Sequence, residues 1–274
     1  MIHILQAPIN SIRLVLLHRE LTLQLTKHEL FYQHSMQVFG GAWAIIHPFC
    51  LMLVYSFIFG FIFKTRLNID GINSSNYTSF ILAGLISWMP LQQAIAKSCN
   101  NIIGNTNLVK QVVFPVDILP YTSVLYSFFL QIVFISIFFA LNIYFKWLDF
   151  TIITILMATF AIFLQIGITI GISLFLSATC VYLKDVKEIV QFFLTIFLFI
   201  LPVLYAPNST PRIFEVLIYF NPLSYLIWVF QDTFFYGYMH HPFAWFFSSL
   251  FCLSILILGS NTFDWLKTWF GEMV

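Results

Sequence analysis

Charge is scarce in this chain. Its 274 residues hold 12 Lys plus Arg and 11 Asp plus Glu, 8% in all, where a soluble domain carries about a quarter. The few charges are also sorted. No Asp, Glu, Lys or Arg occurs in 30–63, 71–96, 118–145, 150–183, 189–211 or 233–263. Each gap can hold the roughly 20 apolar residues that cross a bilayer as a helix. A charge at mid-membrane costs about 2.5–3.5 kcal/mol on insertion scales, which is why spanning segments exclude it. Outside the gaps there is little beyond short loops and the first 38 residues, so there is little room for a soluble catalytic domain.

Other absences narrow the chemistry. The four cysteines (Cys50, Cys99, Cys180, Cys252) form no C-x-x-C pair and read as small packing residues, not as a disulfide framework or zinc site. No G-x-x-x-x-G-K-[ST], H-E-x-x-H or G-x-S-x-G motif occurs. His240 and His241 are adjacent, and neighbours on a helix point apart, so they do not read as metal ligands. The six gaps hold no carboxylate, which argues against an ion-driven relay. Energy for any transport would come from another protein. No basic run suggests nucleic acid as a partner. No clean apolar leader segment forms in residues 1–38, because Arg13, Arg19, Glu20, Lys27 and Glu29 interrupt it.

What is present is an apolar chain, 60% hydrophobic and 19% aromatic, with 34 Phe and a mean hydropathy of +0.91. The expected fold is an all-α polytopic membrane protein with six transmembrane helices: about 41–63, 77–96, 118–145, 150–180, 189–205 and 243–263. Residues 10–32 place Leu14, Leu17, Leu21 and Leu25 at helical spacing, with charges mostly elsewhere on the wheel. They predict an amphipathic helix lying in the membrane interface. Gly167 and Gly171 form a G-x-x-x-G pair that permits close helix approach, within one chain or between two. The polar stretch 97–117 is long enough for a short helix outside the lipid. Residues 206–241 are apolar and aromatic, yet broken by Pro207, Pro211, Pro222, Arg212, Glu215 and Asp232. They suit re-entrant half-helices better than a further span.

Orientation follows from Lys and Arg. With the N-terminus inside, eight basic residues (Arg13, Arg19, Lys27, Lys97, Lys110, Lys184, Lys187, Lys267) face the cytoplasm and four (Lys64, Arg66, Lys146, Arg212) face out. An even number of spans returns the C-terminus to the cytoplasm as well.

Several short sequences, in order, resemble the membrane subunits of type-2 ATP-binding-cassette exporters for bacterial surface polysaccharide, those of O-antigen and capsule above all. Gly40-Gly41-Ala42-Trp43 with Pro48 is similar to that family's opening of span 1. Leu108-Val109-Lys110 with Phe114-Pro115 resembles its approach to span 3, and Lys184-Asp185-Val186 its step before span 5. Pro202-Val203-Leu204-Tyr205 resembles the end of that span, and Asn221-Pro222-Leu223 the outer re-entrant step. The pattern departs at Gly41, where the family often has Pro, at Leu201, where Ser is frequent, and at Gln231, near a usual basic residue.

The resemblance implies a homodimeric channel in the bacterial inner membrane. It would dock on two copies of a separate ATPase that holds the ATP and Mg, this chain binding no cofactor and catalysing no reaction. Residues 98–112 would be the coupling helix, with Asn105, Asn107 and Lys110 on one loop and Lys184, Asp185 and Lys187 on the next. Trp43, Tyr205, Tyr219, Asn221, Pro222, Tyr225 and Trp228 would line the glycan channel and its outer gate, 206–241. The cargo would be a lipid-linked polysaccharide; a teichoic acid, a small lipid or a drug is the alternative cargo on the same fold.

Overall fold

The computed structural model describes residues 13–31, 37–59, 77–110, 114–205 and 212–273, and the described residues are helical with short connections. The elements are α1 (Arg19–Phe31), α2 (Trp43–Phe57), α3 (Tyr77–Ser98), α4 (Thr106–Val109), α5 (Leu119–Phe145), α6 (Ile152–Tyr182), α7 (Asp185–Ile200), α8 (Arg212–Phe220), α9 (Pro222–Gln231), α10 (Pro242–Leu266) and α11 (Phe270–Met273). Among these residues, five helical stretches are long and apolar enough to cross a membrane: Gly40–Phe57, Tyr77–Ser98, Val116–Phe145, Ile152–Tyr182 and Pro242–Trp269. The end of the expected first span, 60–63, and the loop after it lie outside the described residues.

The long helices alternate in direction, so the bundle has two ends. One end gathers α1, the 99–118 connection, the 183–187 joint and 264–273. The other gathers the 146–151 turn and 201–241. The charges that separate the gaps therefore segregate to the two ends.

The centre is α3. Every residue from Ser79 to Leu91 is buried. Pro90 removes a backbone N–H in mid-helix, and neighbouring helices cover the carbonyls around it. Ser127 Oγ donates to Pro90 O at 2.9 Å and Gln165 Nε2 to Ser87 O at 3.0 Å. Gln131 Nε2 in turn donates to Gln165 Oε1 at 3.0 Å. These bonds tie α5 and α6 to the α3 backbone on either side of Pro90.

The tightest helix pair is α6 with α10. Both of its sides are glycine. A Cβ at Gly171 would stand 2.5 Å from Ile255 O, and Gly259 lies directly against Gly171 O. The G-x-x-x-G spacing thus serves packing within one chain. Tyr182 Oη closes the pair at its lower end with a 2.8 Å bond to Leu266 O.

Three local features depart from the sequence expectation. The fifth span was expected over 189–205, but α7 starts at Asp185 and stops at Ile200. At 16 residues it is about 24 Å long, short of a bilayer core. Asp185 and Glu188 sit in its first turn, where the helix dipole favours them, and Pro202 holds Leu201 in an extended conformation that ends it. The 98–112 stretch is not one helix. It is turns, a 3₁₀ segment at Ile103–Asn105 and the single turn of α4, with 111–112 outside the described residues. Finally, α1 buries Thr22, Thr26 and Leu30, not its leucine row. The threonine hydroxyls can be buried because each donates to the carbonyl four residues back. Leu16 and Leu17 just before α1 and Leu23 within it stay exposed.

Candidate functional site: the two ends of the bundle

At the first end, small polar side chains fix the root of the 99–118 connection. Ser98 Oγ lies 3.0 Å from Ser123 Oγ and donates to Ser173 Oγ at 2.8 Å. Ser177 Oγ donates to Ser98 O at 3.0 Å. Asn101, buried, donates to Leu119 O and to Ser123 Oγ, both at 3.1 Å. Cys99, expected in a polar loop, is buried, and its thiol donates to Ile95 O at 3.5 Å.

Beyond that root the loop turns outward. Asn107 and Lys110 are exposed and Asn105 is half-buried, its amide bonded to Asn101 O. Lys184 and Asp185 are exposed and Lys187 is half-buried. All six expected coupling residues therefore lie at one end, on two loops with a shared base. A second layer flanks them. Glu29 of α1 pairs with Lys97 at 3.3 Å and accepts from Thr122 Oγ1 at 3.1 Å, tying α1 to both α3 and α5. Lys267 pairs with Asp117 at 2.7 Å and Asp264 at 2.6 Å.

At the other end a hairpin of short helices folds over the bundle. Asn221 caps α9 by accepting from Leu223 N at 3.0 Å, and Pro222 takes the first helical position, where its missing N–H costs nothing. Tyr225 Oη donates to Tyr219 O at 2.7 Å, clamping α8 to α9. Trp228 is buried between Tyr219, Tyr225 and His241, with ring centroids 5.2–5.4 Å apart. Tyr77 Oη donates to Leu204 O, and Tyr205 is half-buried beside it. Tyr219, Asn221, Pro222, Tyr225 and Trp228 are thus brought together, with Tyr205 at the same end. Trp43 is not; it sits at the opposite end beside Lys97. Residues 206–211, with Pro207 and Pro211, lie outside the described residues. A cavity of about 300 Å³ opens between Tyr219, Tyr225 and Phe247.

The residue that sequence reasoning missed is Asp232. It opens a π-helical turn, Asp232–Tyr236, that Gly237 closes at φ 75°, a conformation glycine adopts freely. The carboxylate is wholly buried. It accepts from His241 N and Trp245 Nε1, both at 2.9 Å, and bonds His241 Nδ1 at 2.8 Å. It joins the hairpin to the start of α10. His241 stacks on Trp228 and His240 on Tyr236, at 12° and 13°. Burial, helped by the Asp232 charge, pushes the Tyr236 phenol up to about 12, and burial with the neighbouring His241 holds His240 below the usual imidazole range. The available signal was one acidic residue inside an apolar aromatic stretch, followed nine residues later by histidine. Among the described residues, no cluster of three or more His, Cys, Asp or Glu could hold a metal ion.

Comparison with known proteins agrees with this layout. Residues 22–235 match the family model described as ABC-2 type transporter. The chain is similar to an O-antigen export system permease protein RfbA of Klebsiella pneumoniae, 26% identical over 264 residues, 93% of this chain and 95% of that protein. A protein of the same name from Myxococcus xanthus is 24% identical over 273 residues, 97% of this chain and 100% of its own length. The family match covers more than half of the chain and the helices are those of an integral membrane protein, so the chain belongs to the ABC-2 type transporter family as a permease.

Proposed function

We propose that this chain forms the channel of an ATP-driven exporter that moves lipid-linked polysaccharide, of the O-antigen or capsule kind, across the bacterial inner membrane. The observation that carries the reading is end-to-end similarity to O-antigen export permeases, at both ends of the chain and not in one motif. Six crossings per subunit fit it. α7 runs from one end of the bundle to the other, and Leu201–Tyr205 extends its path to the outer face. Both termini are then cytoplasmic, as the eight-to-four division of basic residues favours.

Two copies form the channel, and each docks on one copy of a separate ATPase. α2 and α7 suit the role of channel walls or subunit contacts. α7 buries only Leu194 and exposes Ile189, Phe192, Phe193 and Phe199, while α2 exposes Ile45, Phe49, Leu53 and Phe57. ATP and Mg belong to the partner. Asn105, Asn107 and Lys110, with Lys184, Asp185 and Lys187, meet the ATPase. Deleting the gene should make lipid-linked glycan accumulate inside the cell; normal surface glycan in the deletion strain would refute the reading. Cysteines placed at 104–110 should cross-link to the ATPase, and a failure throughout that window would separate this loop from coupling.

The hairpin 212–241 gates the exit, its aromatic faces suited to sugar rings. Tyr225 and Trp228 are expected to behave differently. Tyr225→Ala should lower surface glycan at an unchanged protein level, since that ring is half-buried and borders the cavity. Trp228→Ala should lower the protein level too, because the indole is packed inside the hairpin. Unaltered glycan in folded Tyr225→Ala would assign that ring to packing alone.

A further inference from the structure

A cleft of about 470 Å³ opens between α2, α3 and α5 at the end that carries α1. Its walls are graded. α3 contributes Lys97, Gln93 and Met89, and α5 contributes Tyr126, Leu130 and Phe134, each an i, i+4, i+8 row along one helix face. Both rows begin polar at the end of the bundle and turn apolar about 12 Å further in. On α2, Trp43 and His47 take the mouth as well. The Lys97 ammonium stands at this mouth, 3.8 Å above the Tyr126 ring, steadied by Glu29. Neither the family match nor the proposed export route assigns the cleft a role.

We infer that the cleft binds one anionic glycerophospholipid of the leaflet around α1. Its phosphodiester lies against Lys97, with Gln93 and His47 beside it, and the start of one acyl chain lies on Leu130 and Phe134. Three observations favour this occupant. The cation at the mouth complements a phosphate and can be shared between it and Glu29. The change from polar to apolar follows the order in which a lipid presents headgroup and chain. The volume falls in the range of small-ligand sites, and buried Leu130 and Phe134 close the floor, so a glycan chain would have no way onward. Basic clefts between membrane helices at the leaflet surface are a recurring headgroup site. The inference rests on the membrane placement proposed above, but not on the identity of the exported molecule. The bound lipid would fill the seam that the loosely packed α2 leaves, and set how firmly α1 sits.

The test uses the full chain in detergent, challenged with phosphatidylglycerol or phosphatidylcholine and read by native mass spectrometry and thermal unfolding. The wild type should retain phosphatidylglycerol preferentially and unfold at a higher temperature with it. Lys97→Gln should weaken retention roughly tenfold, the worth of one charge-assisted hydrogen bond. Lys97→Arg should restore it. Because Lys97→Gln also breaks the Glu29 pair, Gln93→Trp supplies an independent arm. It fills the cleft, leaves that pair intact, and should likewise expel the lipid. Equal retention of the two lipids by the wild type would overturn the inference, as would undiminished retention by folded Lys97→Gln and Gln93→Trp proteins. Protein made in cells that lack the glycan-assembly enzymes should carry the same lipid. An empty cleft there, refilled only by lipid-linked glycan, would make the occupant the export substrate and overturn the inference, leaving the proposed function standing.

Discussion

Asp232→Ala should leave little protein in the membrane and no export. The carboxylate is wholly buried and holds three donors: His241 N, His241 Nδ1 and Trp245 Nε1. Alanine strands all three, Trp245 Nε1 inside the packed hairpin and the two His241 donors at its partly exposed edge. Removing one partner of a buried, hydrogen-bonded charge costs about 3–5 kcal/mol, against a net stability of about 5–15 kcal/mol for a typical protein. The damage is also local to the proposed gate, because these bonds join the hairpin to the first turn of α10. Asp232→Asn should be milder. The amide keeps an acceptor but turns an N–H₂ toward one of the former donors. The order expected is wild type, then Asn, then Ala, in both membrane protein level and surface glycan. Wild-type behaviour of the alanine protein would show that the cluster neither holds the fold nor positions the gate.

A leucine at Gly171 or Gly259 should be as severe by another route. At Gly171 the first added carbon would meet backbone atoms of α10: Ile255 O at 2.5 Å and Leu256 N at 2.8 Å. A backbone atom cannot rotate away, so α6 and α10 must part along their shared face. Overpacking a core costs about 1–3 kcal/mol where side chains can adjust, and more is expected where they cannot. The measurement is the yield of monodisperse protein after detergent extraction. Gly271→Leu is the control, since nothing lies within 4 Å of the position a Cβ would take there. Equal yields for all three variants would mean that the helix pair is not held by backbone contact.

The long helices were readable because the membrane imposes a strong rule on the sequence. α3, α5, α6 and α10 lie within a few residues of the charge-free segments. The same rule misplaced α7. Charge-free segments mark lipid, whereas helix ends answer to local chemistry, and Asp185 and Glu188 belong to the first turn while Pro202 ends the helix. The resemblance implies one helix over 98–112, whereas the polar length of 97–117 asks only for a short one, and α4 is that. Asn101 and Asn105 instead spend their amides on nearby backbone and side-chain oxygens, which favours turns over helix. For the candidate sites, nearness in sequence keeps Asn105 with Lys110 and Tyr219 with Trp228. It could not group Glu29 with Lys97, 68 residues away, nor place Trp43 apart from the other aromatics. The Asp232 cluster is not legible in the sequence, because a π-helical turn brings its donors back from nine and thirteen residues further on.

The glycine contact between α6 and α10 also divides labour in the subunit. Two helices joined through their backbones have no side-chain layer to slide on, so they can serve only as a stator. α3, buried on all sides through its middle, belongs with them. In the proposed export cycle the compliance would then come from α2 and α7, which among the long helices bury the least of themselves. In the exporter proposed above, each subunit would then be a fixed frame carrying two movable staves.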